Sequence, residues 1–125
     1  MLNLLAKVAL VLCFLGIQQA TAQDIEIGTG LLCDTAQQVE RYVVLTDQNP
    51  ATALTAVNVE AKKENACAPG SVAYRRGRTV KTLTTKHGTY DIVEITVIAG
   101  VSQAGMMAIT PTVQYTLFPA KGEAI

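Results

Sequence analysis

Two cysteines, Cys33 and Cys67, constrain the fold of this 125-residue chain more than any other feature. The third cysteine, Cys13, lies in an N-terminal segment with the pattern of a signal peptide, so export leaves a single possible pair. Two cysteines in an oxidising compartment predict one disulfide. Closing a loop of about 35 residues stabilises a domain by roughly 4 kcal/mol in the chain-entropy model, against a total of about 5 to 15 kcal/mol.

The signal peptide is predicted from an apolar run over residues 8–17 that precedes the small residues Ala20 and Ala22. The run is about ten residues long, whereas a membrane-spanning helix needs roughly 17 to 25, so a cleaved signal is favoured over an anchor. We therefore expect residues 1–22 to be removed and residues 23–125 to form a single small domain. Its expected location is the periplasm or the exterior, with no stable membrane insertion after cleavage.

The charge balance of the exported part is close to neutral. Removal of the signal peptide also removes Lys7, so the acidic residues of the exported part outnumber its basic residues by one. Aromatic residues are few, and tryptophan is absent from the chain. Neutral charge and the lack of interleaved aromatics predict that nucleic acid is not a partner.

Helical spacing of apolar residues predicts two helices between the cysteines. Asp34 is the predicted N-cap of the first helix, with Gln37 in the capping-box position, and the helix continues for about three turns. Asn49 and Pro50 predict the start of a second helix over residues 51–63. Because the connection is short, the two helices should run antiparallel, which places the two cysteines at the same end of the hairpin.

The second half of the chain changes to the alternation typical of strands. Gly77 and the pair His87-Gly88 separate the first three segments, and the predicted strands cover residues 71–76, 78–86, 89–99 and 112–118. Before the first cysteine, residues 23–32 permit either a short strand or an N-terminal arm.

Together these elements predict an α+β fold. A disulfide-tied helical hairpin would pack on a three- to four-stranded, mostly antiparallel sheet. The structural alternative is a small SH3-like barrel formed by the C-terminal half, with the helices docked on it. Strand order distinguishes the two arrangements.

Five basic residues fall within twelve positions and form the candidate binding cluster: Arg75, Arg76, Arg78, Lys81 and Lys86. Guanidinium and ammonium groups in such a cluster can bind an anionic partner or an acidic protein surface. The same charges could instead form a solvated hairpin edge that discourages aggregation between strands.

His87 is the one imidazole of the chain, and it falls at a predicted turn. A general base needs a partner and a pocket, for which Asp91 and Glu94 are the candidate carboxylates. The sequence contains no hydrolase elbow, phosphate loop or metalloprotease motif. We therefore predict no catalytic residues, no metal site and no cofactor.

Several segments resemble a group of small exported alphaproteobacterial proteins of unknown function. The similar segments are residues 33–42 (CDTAQQVERY), residues 56–60 (AVNVE) with Cys67, residues 90–93 (YDIV) and residues 115–118 (YTLF). The resemblance implies a periplasmic location and assigns no activity.

The sequence thus favours a non-enzymatic interaction module that binds a protein or an anionic component of the cell envelope through the basic cluster. Two other functions stay open. One is a small envelope hydrolase that uses His87 with a nearby carboxylate, and the other is a purely structural envelope component.

Overall fold

The computed structural model describes residues 24–120 as four antiparallel strands and two short helices. The elements in chain order are β1 (Ile25–Cys33), α1 (Ala36–Gln48), α2 (Ala53–Ala61), β2 (Cys67–Thr85), β3 (Gly88–Ser102) and β4 (Gly105–Pro119). Strands make up 60% of the structure and helices 23%. The predicted signal peptide, residues 1–22, lies outside the described residues.

The predicted α+β fold is wrong, because the structure is mostly sheet. One reason is that residues 25–33 form a full strand, which pairs with β2 from Ile25 opposite Arg75 to Cys33 opposite Cys67. The other reason is that the predicted strands on either side of Gly77 are one long strand, β2.

The four strands close into a barrel in the order β1-β2-β3-β4. Long antiparallel ladders join β1 to β2, β2 to β3 and β3 to β4. Closure depends on one pair, Cys33 opposite Tyr115, between β1 and β4. A small barrel-like sheet is compatible with this topology, although β1 from the N-terminal half supplies one of its strands.

Gly77 marks a bulge in β2 and does not end the strand. The pairing with β3 shifts register between Arg76 and Thr79 and again between Thr79 and Lys81. A Cβ atom at Gly77 would lie 2.6 Å from the main-chain oxygen of Glu94. Only glycine permits this close approach of the two strands, as is common at β-bulges.

The first helix has the predicted kind of N-terminal cap, shifted by one residue. Thr35 is the N-cap: its Oγ1 accepts a hydrogen bond from the Gln38 main-chain N at 3.2 Å, and its own N donates to Gln38 Oε1 at 3.0 Å. The predicted pair, Asp34 with Gln37, does not form this box. Asp34 instead forms an ion pair with Lys63, at 2.6 Å.

The second helix is shorter than the predicted range of residues 51–63. Asn49 Oδ1 accepts a hydrogen bond from the main-chain N of Ala51 at 3.1 Å, which holds the turn before the helix. At the other end Lys62 adopts a left-handed conformation (φ 57°) that ends the helix after Ala61. The Arg41–Glu60 ion pair, at 2.8 Å, joins the two helices.

Apolar residues of β3 contribute to the core on both faces of the sheet. Ile92 is buried beneath the helices, together with Val39 of α1 and Val57 of α2. On the opposite face lies a second cluster, formed by Tyr74, Val93, Ile95 and Val97. The strand lies between β2 and β4, as expected of a strand that is apolar on both faces.

The predicted disulfide between Cys33 and Cys67 is confirmed. Both residues are fully buried and stand directly opposite each other in the β1–β2 ladder, with their Cα atoms 4.1 Å apart. Asn58 of α2 bonds both main-chain groups of Cys67: its Oδ1 accepts from the N at 2.8 Å and its Nδ2 donates to the O at 3.0 Å. The helices are therefore attached to the sheet beside the disulfide.

We expect Gly77→Ala to lower the free energy of unfolding by about 1 to 3 kcal/mol, since the added methyl group would overlap the neighbouring main chain. Gly100→Ala is the matched control, because a Cβ atom at that strand position meets nothing within 4 Å. Urea unfolding followed by circular dichroism measures both variants. Equal stabilities of the two variants would contradict the assignment of a close strand contact at Gly77.

Candidate functional site

The predicted basic cluster is divided between the two faces of the sheet. Arg76 stands opposite Ile95 on the face away from the helices, whereas Lys81 stands opposite Ile92 and pairs with Glu40 of α1. The other three basic residues of the cluster are exposed and form no ion pair within residues 24–120: Arg75, Arg78 and Lys86. A binding role for the cluster stays a prediction.

His87 and the two carboxylates predicted for it make separate contacts. Asp91 accepts a hydrogen bond of 2.6 Å from a threonine of β2, and Glu94 accepts one of 3.2 Å from Tyr115. The carboxylate beside His87 is Asp47, whose Oδ1 lies 3.8 Å from Nε2, which is longer than a hydrogen bond. The lining of the adjacent cavity, about 210 Å³ in volume, contains no serine, cysteine or lysine.

An open seam between β1 and β4 is the site that the sequence did not indicate. Beyond the closing pair, Thr116 Oγ1 donates a hydrogen bond of 2.6 Å to the main-chain oxygen of Leu31. No further residue of β1 pairs with β4 within the described part of the chain. The edge of β1 before Leu31 therefore has no neighbouring strand.

The main chain of alternate β1 residues faces this seam. In an antiparallel strand the N–H and C=O groups of one residue point to the same edge, and those of the next residue point to the opposite edge. Because the Leu31 carbonyl points to the seam, the main-chain groups of Ile27 and Thr29 point there as well. Thr116 uses one of these groups, so the rest can accept a new strand.

A crevice of about 270 Å³ lies along the seam. Its floor is formed by apolar side chains on the sheet face away from the helices, namely Leu32, Val72, Tyr74, Ile95 and Phe118. A Cβ atom at Gly28 would meet Tyr74 at 3.6 Å, and one at Gly30 would meet Thr116 Oγ1 at 3.9 Å, both ordinary contact distances. Side chains at these two positions would fill the crevice, so the two glycines keep it open.

A bidentate ion pair borders the apolar floor. Arg76 donates from Nη2 to Glu26 Oε1 at 2.8 Å and from Nε to Glu26 Oε2 at 3.0 Å. Its guanidinium lies 3.7 Å from the centre of the Phe118 ring, a cation–π distance. Tyr74 adds a longer hydrogen bond, 3.3 Å, to the same carboxylate. The arginine is thereby fixed at the rim of the crevice.

The rim charges are stabilised by one another. The hydrogen bond from Arg76 lowers the pKa of Glu26 below its usual range. Desolvation raises the pKa of Tyr74, and the nearby carboxylate of Glu26 raises it further. At neutral pH the rim therefore presents an ion pair beside a neutral phenol.

From the sequence, Gly28 and Gly30 belong to a segment that permits either a short strand or an N-terminal arm. The signal that could have revealed the crevice is their spacing, since two glycines at alternate positions of a strand leave one face without side chains. The alternation of Ile25 and Ile27 just before them indicates that strand.

Two features of residues 24–120 concern metal binding and membrane crossing. Within residues 24–120, no three side chains among His, Cys, Asp and Glu gather in a way that could hold a metal ion. None of the helices in this range has the length and apolar character to cross a membrane.

No protein-family model, no curated protein and no solved structure matches this chain.

We expect Glu26→Gln to lower the free energy of unfolding at pH 7 by about 0.5 to 1 kcal/mol, because the ion pair with Arg76 is partly exposed. Since the pKa of Glu26 is lowered in the folded state, this contribution is complete above the ordinary glutamate pKa of about 4.3. It is lost as the pH falls through the lowered value.

Urea titrations of wild type, Glu26→Gln, Arg76→Gln and the double variant, from pH 7 downwards, measure this contribution as a coupling energy. A coupling energy of zero at pH 7, or one that grows as the pH falls, would contradict the described ion pair.

Proposed function

We propose that this protein is a non-enzymatic interaction module that binds an extended segment of a partner protein as an added strand beside β1. The observation that carries the proposal is the coincidence of a free strand edge with an apolar crevice. The main-chain groups of Ile27 and Thr29 supply hydrogen bonds along the edge, and the crevice next to them supplies a pocket. Strand addition of this kind takes affinity from main-chain bonds and specificity from alternate side chains.

The shape of the crevice favours a peptide over a small-molecule ligand. Typical small-molecule sites enclose most of the ligand, whereas this crevice, about 270 Å³ in volume, lies along an unpaired strand edge. One large apolar side chain of an added strand would contact Tyr74, Ile95 and Phe118. The preferred segment therefore carries at least one bulky apolar residue within an extended run.

Acidic residues in the partner segment would add to this preference. Arg78 follows the rim residue Arg76 just beyond the bulge at Gly77, is exposed, and makes no ion pair among the described residues. Arginine forms bidentate pairs with carboxylates, so an acidic residue near the apolar anchor is favoured. The binding role predicted for the basic cluster would then be to contact acidic residues of the peptide added beside β1.

An exported location is part of the same proposal. The buried disulfide supports it, because such bonds persist in oxidising compartments such as the periplasm and the exterior. The signal-peptide pattern in residues 1–22 gives independent support from the sequence.

Peptide arrays test the proposal directly. An array of ten-residue peptides, varied in apolar and acidic content, is probed with wild type and with Gly30→Val, whose side chain occupies the crevice. Gly100→Val is the control, at a strand glycine with open space around it. We expect the peptides that bind wild type to bind the control equally and to bind Gly30→Val at least tenfold more weakly.

Chemical-shift mapping of a bound peptide then locates the contact. The amide signals of Ile27, Thr29 and Leu31 should shift most on titration with the strongest peptide. The proposal fails if no peptide on the array binds, if Gly30→Val binds like wild type with its fold intact, or if the shifts fall elsewhere.

A further inference from the structure

The N-terminal half of β4 has a second free edge. This strand pairs with β3 along one side and meets β1 only at Tyr115, so residues 105–114 have no neighbour on their other side within the described chain. Residues 105–113 are all exposed. The segment lies at the opposite half of β4 from the seam crevice, which contains residues 116–119 of this strand.

This edge lacks the charges that usually protect exposed strands. No charged residue occurs between Ile95 and Ala120. Met106 and Met107 are 63% and 74% exposed, and Ile109 is 44% exposed. Natural edge strands prevent pairing with other chains through charged side chains, proline or bulges. Here Pro111 and the irregular register next to it protect only the part of the edge that follows Ile109.

A row of small and apolar residues runs from this edge across the sheet, and its two middle members, Ala73 and Ala99, are buried. Four small or apolar residues stand in register across the four strands, one from each: Ile27, Ala73, Ala99 and Ala108. The row ends at the exposed edge of β4, with no polar side chain to terminate it. A strand added at this edge would extend the row, and an apolar side chain opposite Ala108 would match it.

We infer that this edge is the contact between two copies of the protein, paired antiparallel through residues 106–109 about a twofold axis. The lack of charge indicates which partner fits this edge. The edge cannot attract a charged partner, whereas an extended, uncharged apolar strand complements it. The same segment of a second copy has this chemistry. A twofold axis brings the two identical edges together, so that each copy buries the exposed methionines of the other.

The oligomeric state of the mature protein tests this inference. Sedimentation equilibrium of residues 23–125 over about 1 to 500 µM should show a monomer–dimer equilibrium with a dissociation constant in the micromolar range. The double variant Met107→Lys/Ile109→Lys should weaken dimerisation at least 100-fold. Val59→Lys is the control, because Val59 is an equally exposed apolar residue (69%) that lies on the helix α2 and not on a strand.

Each outcome decides the inference. A wild-type dimer with a monomeric lysine variant and a dimeric control supports it, provided that the melting temperatures of the three proteins agree. A monomer throughout the range, a lysine variant that dimerises like wild type, or an open-ended assembly overturns it. The dimerisation measurement is independent of peptide binding in Gly30→Val, because the peptide site lies on β1 and the dimer contact lies on β4.

Discussion

The Cys33–Cys67 disulfide is the contact on which the rest of the structure depends. Cys33 stands between two strands, opposite Cys67 of β2 and opposite Tyr115 of β4. Asn58 of α2 bonds the main chain of Cys67, so the helices meet the barrel at the same point. The covalent bond thus fixes the register of β1 where the barrel closes and where the helices attach.

The candidate binding site exists because the barrel is closed by so few contacts between β1 and β4. One residue pair joins β1 to β4, and beyond it the two strands diverge around an apolar crevice. Gly28 and Gly30 leave the crevice unfilled, while the Glu26–Arg76 ion pair keeps its rim in place. A rigid scaffold whose β1 edge is open suits recognition of an extended peptide, because the main chain of that strand already has the required conformation.

The sequence predicted the disulfide and two helices because both depend on local patterns, namely cysteine count and helical spacing. It did not predict the sheet content, since residues 25–33 show clear alternation only at Ile25 and Ile27 before the two glycines. Gly77 looked like a strand break because a bulge and a turn share the same residue preference. The spacing of the two glycines indicates a strand face without side chains, but the crevice itself also depends on the register that brings Tyr74 and Phe118 beneath those glycines.

The binding site requires that β1 is paired on one edge and open on the other. Amide hydrogen exchange along β1 of the free protein measures this difference between the two edges. We expect exchange rates to alternate: slow exchange at Gly28 and Gly30, whose amides bond β2, and fast exchange at Ile27 and Thr29, whose amides face the seam. Uniformly slow exchange over residues 27–30 would contradict it, because both edges of β1 would then be paired.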